Sequence, residues 1–201
     1  MNQRKKQPAQ TRQAILDAAD ADFSLHGYCA TGIGGIVVRA ELTKGGLFHH
    51  FPDKRALAVA WISERLGAGM DADWIAPLEG AASLDALRDL CRLRCKELRP
   101  NDSTSALVAV AAETAAGDES LADALEGVFS AWRAALAGFF ERGKAAGWIY
   151  PAIHPEAEAM MFVSAFAGFT VSVKTSRNPQ ARQVFLTAFE GYLETLRAQQ
   201  G

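Results

Sequence analysis

Little in this sequence invites cross-linking or catalysis. Three cysteines in 201 residues, Cys29, Cys91 and Cys95, are too few for the disulfide framework of a secreted domain. No Gly-rich phosphate loop follows a strand pattern, no nucleophile elbow occurs, and metal-ligand spacings are missing, so neither an enzyme nor a cofactor is expected. No window reads as a transmembrane span, and the N-terminal Met-Asn-Gln-Arg-Lys-Lys lacks the apolar stretch of a signal peptide. The expected compartment is the cytoplasm. Strand alternation is weak throughout, and repeats and low-complexity tracts are lacking. An excess of one charge is lacking too: 21 Lys and Arg against 23 Asp and Glu leave a net charge of −2.

What is present is helical periodicity, and its most informative stretch is 31–54. Ile33, Ile36, Val37 and Ala40 fall at helical spacing and give a first short helix one buried side. Glu41-Leu42 makes a turn, and Thr43 is a good N-cap for a second helix through Lys44–His50. Two turns of helix, roughly 10 Å long, contribute little to a core, yet a major groove about 12 Å wide accepts such an element. The pattern predicts a helix-turn-helix. Upstream, 11–26 reads as an amphipathic helix with Ile15, Leu16, Ala19 and Phe23 inside and Gly27 as a left-handed cap. Downstream, Phe51-Pro52 ends the second helix and Asp53 caps the next. The first sixty residues hold 8 Lys and Arg against 5 Asp and Glu, the rest 13 against 18. The basic excess thus lies with the motif, and charge alone would not separate it from ordinary scatter.

These residues carry a family resemblance. The pattern Ala14-Ile15-Leu16-Asp17-Ala18-Ala19 … Phe23 … Gly27-Tyr28, then Thr43-Lys44-Gly45-Gly46-Leu47-Phe48-His49-His50-Phe51, then Asp53-Lys54-Arg55-Ala56-Leu57, resembles the TetR family of bacterial transcriptional regulators over the first third of the chain. The resemblance implies an all-α fold: a basic arm at 1–8, a DNA-binding head at 9–54 with its motif at 31–50, and a helical ligand-binding and dimerisation body at 55–201. It also implies Thr31 and Lys54 as phosphate clamps. Lys44 reaches phosphate more readily than a base edge. Gly45 and Gly46 each cost about 1 kcal/mol in a helix relative to Ala, and their return is close approach of backbone N–H groups to DNA. Phe48, where relatives carry Tyr, keeps an apolar contact, while His49 and His50 donate to phosphates. Adjacent helical residues project about 100° apart, so the two histidines do not chelate a metal.

Two departures from the family pattern are visible. Glu41 occupies a turn position usually filled by Gly, so it either adopts a left-handed conformation, at a cost on the order of 1 kcal/mol, or reshapes the turn. The second helix opens on Gly32, Ile33, Gly34 and Gly35, where relatives place base-reading side chains; Arg39 is left to phosphate or solvent.

The rest reads as helices: from Lys54 to before Pro77, 83–98, 103–116, 119–146, 157–173 and 180–198. The span 157–173 is apolar almost all round, which calls for cover on more than one side; internal burial and a two-fold dimer through the last two helices both supply it. Two DNA half-sites about 34 Å apart favour the dimer. The family's ligand pocket would draw on Trp61, Met70, Trp74, Phe129, Trp132, Met160, Met161 and Phe166. Glu113 and Thr114, polar exceptions in an Ala/Val-rich helix, either orient a ligand or cap and face solvent. Cys91 and Cys95, one turn apart among Arg88, Arg92, Arg94 and Lys96, are either reactive thiolates sensing oxidants or electrophiles, or plain packing residues. The expected function is a ligand-responsive repressor binding a palindromic operator as a homodimer and released by a small molecule. The alternative is a helical ligand-binding or interaction protein whose helix-turn-helix no longer reads DNA.

Overall fold

The structure, a computed structural model, describes residues 8–99, 102–114 and 117–198. The basic arm expected at 1–8 lies, but for Pro8, outside the described residues. Among the described residues there is helix and no strand, apart from one isolated bridge between Ile149 and Arg197.

Three helices make the head. α1 (Pro8–His26) buries Ile15, Leu16, Ala19 and Phe23, the stripe its spacing predicts. Gly27 ends it at φ 85°, its N–H donating to the Phe23 carbonyl at 2.9 Å. α2 (Ile33–Arg39) buries Ile36 and Val37, and α3 (Lys44–His50) buries Leu47. Between them Glu41 adopts φ 56°. Its N–H donates to the Val38 carbonyl at 3.1 Å and that of Leu42 to Val37 at 3.0 Å. That pair of bonds is a Schellman cap, whose left-handed position is usually glycine. Thr43 then caps α3, its hydroxyl oxygen accepting the Gly46 N–H at 3.1 Å.

A single helical run, 54–80, leaves the head and enters the body. It comprises α4 (Lys54–Ala60), α5 (Gly67–Met70) and α6 (Ala76–Gly80), joined by π-helical stretches at Trp61–Leu66 and Asp71–Ile75. The run passes through Pro77, where the sequence pattern predicts an earlier end. A proline ring collides with the carbonyl four residues back in a regular α-helix; here that carbonyl belongs to Asp73, inside the wider π turn. Ion pairs Arg12–Glu64 and Arg65–Asp17 bind the run to α1.

The body follows as α7 (Leu84–Glu97), α8 (Ser103–Thr114), α9 (Glu119–Ala145), α10 (Pro155–Thr175) and α11 (Ala181–Thr195). α9 is its axis, packed on α10, α8 and the connecting run, while α11 lies chiefly on α7. At helical spacing along α9, Leu121, Leu125, Val128, Trp132, Leu136, Phe139 and Phe140 are buried and Phe129 is half-buried. α10 corrects one expectation: its 21 residues, at mean hydropathy 1.2, are long and apolar enough to cross a membrane. Here one face of it packs into the core, burying Ala159, Phe162, Val163, Phe166 and Phe169, while its other face is open.

Candidate nucleic-acid interface and body sites

The outer face of the head is built around α3. Leu47 and Phe51 turn inward at 0% and 4% exposure and seat the helix on α1 and α2. Thr43, Lys44, Gly45, Phe48 and His49 are consequently exposed, with Gly46 and His50 half-buried. The first amides of a helix have no carbonyl to meet inside it, and with Thr43 serving Gly46, those of Lys44 and Gly45 stay available. Bare glycine backbone, one ammonium and two imidazoles thus share a surface suited to phosphate and groove edge. Lys54, on α4, stands with its Nζ 4.4 Å above the Tyr28 ring and donates to the Cys29 carbonyl at 3.4 Å.

Thr31 is a correction. It is buried, and its hydroxyl donates to the Gly27 carbonyl at 2.7 Å, with that of Asp22 at 3.1 Å. One hydroxyl hydrogen cannot also clamp a phosphate, so Thr31 shapes the loop between α1 and α2. Arg39 is also engaged, its Nε donating to Asp22 Oδ1 at 2.7 Å. Asp22 went unnoticed in the sequence; an acid on the otherwise apolar buried face of α1 was the available signal. The outward face of α2 presents Gly32, Gly34, Gly35 and Val38, so its one polar side chain is the half-exposed Arg39 that Asp22 holds.

The residues expected to line one pocket occupy three places. Met70, Trp74, Trp132 and Phe166 meet in the body core, each at 0% exposure, with Phe129 half-buried against that core. The Trp74 ring stands 5.0 Å from Trp132, 4.6 Å from Phe166 and 5.7 Å from Phe162, centroid to centroid. The cluster is filled as it stands. Trp61 lies instead at the seam between head and body, its Nε1 donating to Asp20 Oδ1 at 2.8 Å and its ring 5.0 Å from Phe23. Glu113 is at the same seam, accepting the Cys29 N–H on Oε2 at 2.7 Å. Both border a cleft of about 290 Å³ with Phe23, Tyr28 and Val110. Met161, with Met160, is more than half exposed and lines no interior space, because an almost wholly apolar α10 gives no pattern to tell its covered face from its open one. Thr114 takes the structural option, its hydroxyl donating to the Val110 carbonyl at 2.7 Å.

The sensing role for Cys91 and Cys95 is also corrected. Both thiols are buried. Burial pushes Cys91 well above the ordinary thiol range, and pushes Cys95 up to about 12 against a partial opposing pull from Arg182. The neighbouring cations are spent elsewhere: Arg88 on Asp85, Arg92 on Glu190, and Arg94 on Asp73 and Glu97. Charges along a helix do not activate a thiol that faces the core.

Comparison with known proteins agrees with this architecture. Residues 15–61 match the family described as bacterial regulatory proteins, tetR family, and residues 83–189 match the tetracyclin repressor-like C-terminal domain. The chain is 29% identical over 166 residues to the A-factor receptor protein of Streptomyces griseus, covering 79% of this chain and 53% of that protein. It is 33% identical over 143 residues to the HTH-type transcriptional regulator RutR of Escherichia coli K12, covering 67% and 64%. The matched part therefore spans about half to two-thirds of the length of these curated relatives. A TetR transcriptional regulator from Chloroflexus aurantiacus shares the fold at a TM-score of 0.82 and 22% identity, over 96% of this chain and 98% of its own. Motif, helical order and both halves of the match agree: the chain belongs to the tetR family of bacterial regulatory proteins.

Proposed function

We propose that this protein is a ligand-responsive transcriptional repressor, working in the cytoplasm, that binds a palindromic operator as a homodimer and is released by a small molecule. The observation that carries this reading is the mounting of α3: a short helix with its apolar side sunk in the head and its glycine, lysine and histidine side turned out. In this reading Thr43, Lys44, Gly45, Gly46, Phe48, His49, His50 and Lys54 meet DNA, and 55–201 senses the ligand and dimerises. The relatives are named as transcriptional regulators and as a receptor, which accords with such a division of labour.

The dimer reading rests on the last two helices. Met160, Met161 and Val171 on α10 and Val184 on α11 are each more than half exposed. Apolar groups of that size, adjoining a groove between α10 and α11 that Phe169 and Phe185 line, favour cover by a second copy.

The alternative, a helix-turn-helix that no longer reads DNA, draws on the glycine-rich outer face of α2, whose one polar side chain, Arg39, is held by Asp22. It loses its other motive, since Glu41 closes a regular Schellman cap and leaves the turn intact. Footprinting on DNA flanking the protein's own gene tests the choice. The repressor reading expects a two-fold, salt-sensitive footprint; binding that is neither saturable nor sequence-selective supports the alternative.

A further inference from the structure

We propose that Trp132 is the polar anchor of the effector site, its indole Nε1–H donating to the single acceptor oxygen of an uncharged, otherwise apolar molecule that lodges in the aromatic cluster by displacing the ring of Trp74. This deepens the ligand-gated reading above and rests on it.

The starting point is an idle donor. Trp132 is fully buried, and its Nε1 has no hydrogen-bond partner among the described residues. A buried donor left unsatisfied is disfavoured, and native chains retain few. The tryptophans of the connecting run show the usual solution: Trp61 donates to Asp20, and Trp74 donates to Thr104 Oγ1 at 3.1 Å. The other idle buried nitrogens belong to Arg65, Arg88 and Arg94, whose guanidinium groups are ion-paired through other atoms. An indole has one donor only, so the whole polar capacity of Trp132 is unused. The rings facing it, Trp74, Phe162 and Phe166, offer no oxygen acceptor, only π faces that accept an N–H weakly.

The surroundings define the chemistry of what would complete the site. Rings dominate the cluster, and burying an unpaired charge among them is far costlier than burying a carbonyl. Asp73, Arg94 and Glu97 border a crevice of about 20 Å³ that reaches Phe166 and Thr104, and their charges are already paired with one another. A ligand there meets one donor and aromatic faces. That selects a neutral molecule with one carbonyl or ether oxygen.

Entry requires a ring to move, and Trp74 is placed to do so. It lies on the π-helical stretch Asp71–Ile75. A π turn holds one residue more than an α turn, so its hydrogen bonds can re-form one residue along, turning a side chain by up to about 100° without breaking the helix. The same run begins at Lys54 and carries Trp61 at the head seam. Displacing Trp74 therefore acts on the element that joins body to head, and a ligand favouring the displaced arrangement shifts the population of head positions.

The test uses three probes of one shape on the full chain: acetophenone, ethylbenzene and benzoate. The chain has four tryptophans, so Trp132→Phe assigns the missing indole N–H signal in an NMR spectrum. Acetophenone should move that signal downfield and bind about tenfold more tightly than ethylbenzene, the ratio given by one net hydrogen bond; benzoate should not bind. In Trp132→Phe, ethylbenzene should still bind and the preference for the ketone should vanish. An unmoved Trp132 signal at millimolar acetophenone overturns the proposal, as does a ketone preference that survives the substitution. Operator release by any compound that leaves the Trp132 signal unmoved sinks the anchor alone. A shifted signal with undiminished operator affinity leaves the anchor standing and sinks the ligand-gated reading.

Discussion

Glu113 and Cys29 join body to head: a carboxylate on α8 accepts the N–H of the loop between α1 and α2 at 2.7 Å. The neighbouring Gly27 makes the fit close, since a Cβ there would fall 2.3 Å from Glu113 Oε1. Glu113→Ala should free the Cys29 amide and speed its hydrogen exchange by about an order of magnitude, with about 1 kcal/mol lost in global stability for an exposed, charge-assisted bond. Unchanged exchange at Cys29 would show that the seam is held by other contacts.

Lys44 extends from the first turn of α3 into solvent. Lys44→Ala should weaken operator binding on all sequences alike and make the plot of log affinity against log salt shallower by about one unit. Lys54→Ala should lower the slope similarly and also cost about 0.5–1 kcal/mol of folding stability, through loss of its place over Tyr28. Either slope unaltered removes that lysine from the phosphate contacts.

Val184 and Met161 are exposed enough, at 58% and 55%, that a charge placed there leaves the core of one chain untouched. Met161→Glu and Val184→Glu together should give a folded monomer at micromolar concentration by sedimentation equilibrium. A wild type that sediments as a monomer, or a double variant that stays dimeric, rules out this face as the interface.

Glu41 holds φ 56° at the left-handed position of the α2 cap. Glu41→Gly removes about 1 kcal/mol of strain and returns part of it as unfolded-chain entropy, so a net gain near 0.5 kcal/mol is expected in denaturant unfolding. A loss of stability would mean that the Glu side chain contributes a contact outweighing the strain.

Cys29 is exposed while Cys91 and Cys95 are buried, so one thiol of three should react with an aromatic disulfide reagent until the chain is unfolded. The raised values of Cys91 and Cys95 also set a pH dependence. Above about pH 8.5, where unfolded thiols ionise, the unfolded chain binds fewer protons than the folded one, and stability falls with rising pH. The fall attributable to Cys95 should span about pH 8.5 to 12 and disappear in Cys95→Ala. Fast labelling of all three thiols in the folded protein would restore the sensor reading.

The head was legible in the sequence because its signals are local. Thr43 before Lys44, Gly27 after His26, and the stripe on α1 each depend on residues within a turn or two, and each appears where expected. The apolar spacing along α9 is local in the same way. What was not legible depends on distant partners. An apolar residue on α10 reads alike whether it meets the core, as Phe166 does, or solvent, as Met161 does. Trp61 and Trp74 lie on one helical run, and only tertiary packing sends the first to the head seam and the second to the body core. For Cys91 and Cys95 both readings stayed open in the sequence, because only tertiary packing turns the thiols to the core and pairs Arg92 and Arg94 with acids on other elements.

The two π turns of the run 54–80 have a consequence for how this chain tolerates change in length. A π turn is the form an α-helix takes when it absorbs one added residue while its flanks keep their mutual orientation. Removal of one residue from Trp61–Leu66 or from Asp71–Ile75 would therefore restore ordinary α geometry and leave the head facing as before. The same deletion within α4 would swing the head about 100° around the helix axis. The connecting run thus carries two positions at which loss of a single residue passes almost unnoticed by the orientation of α3, bounded by stretches where it does not.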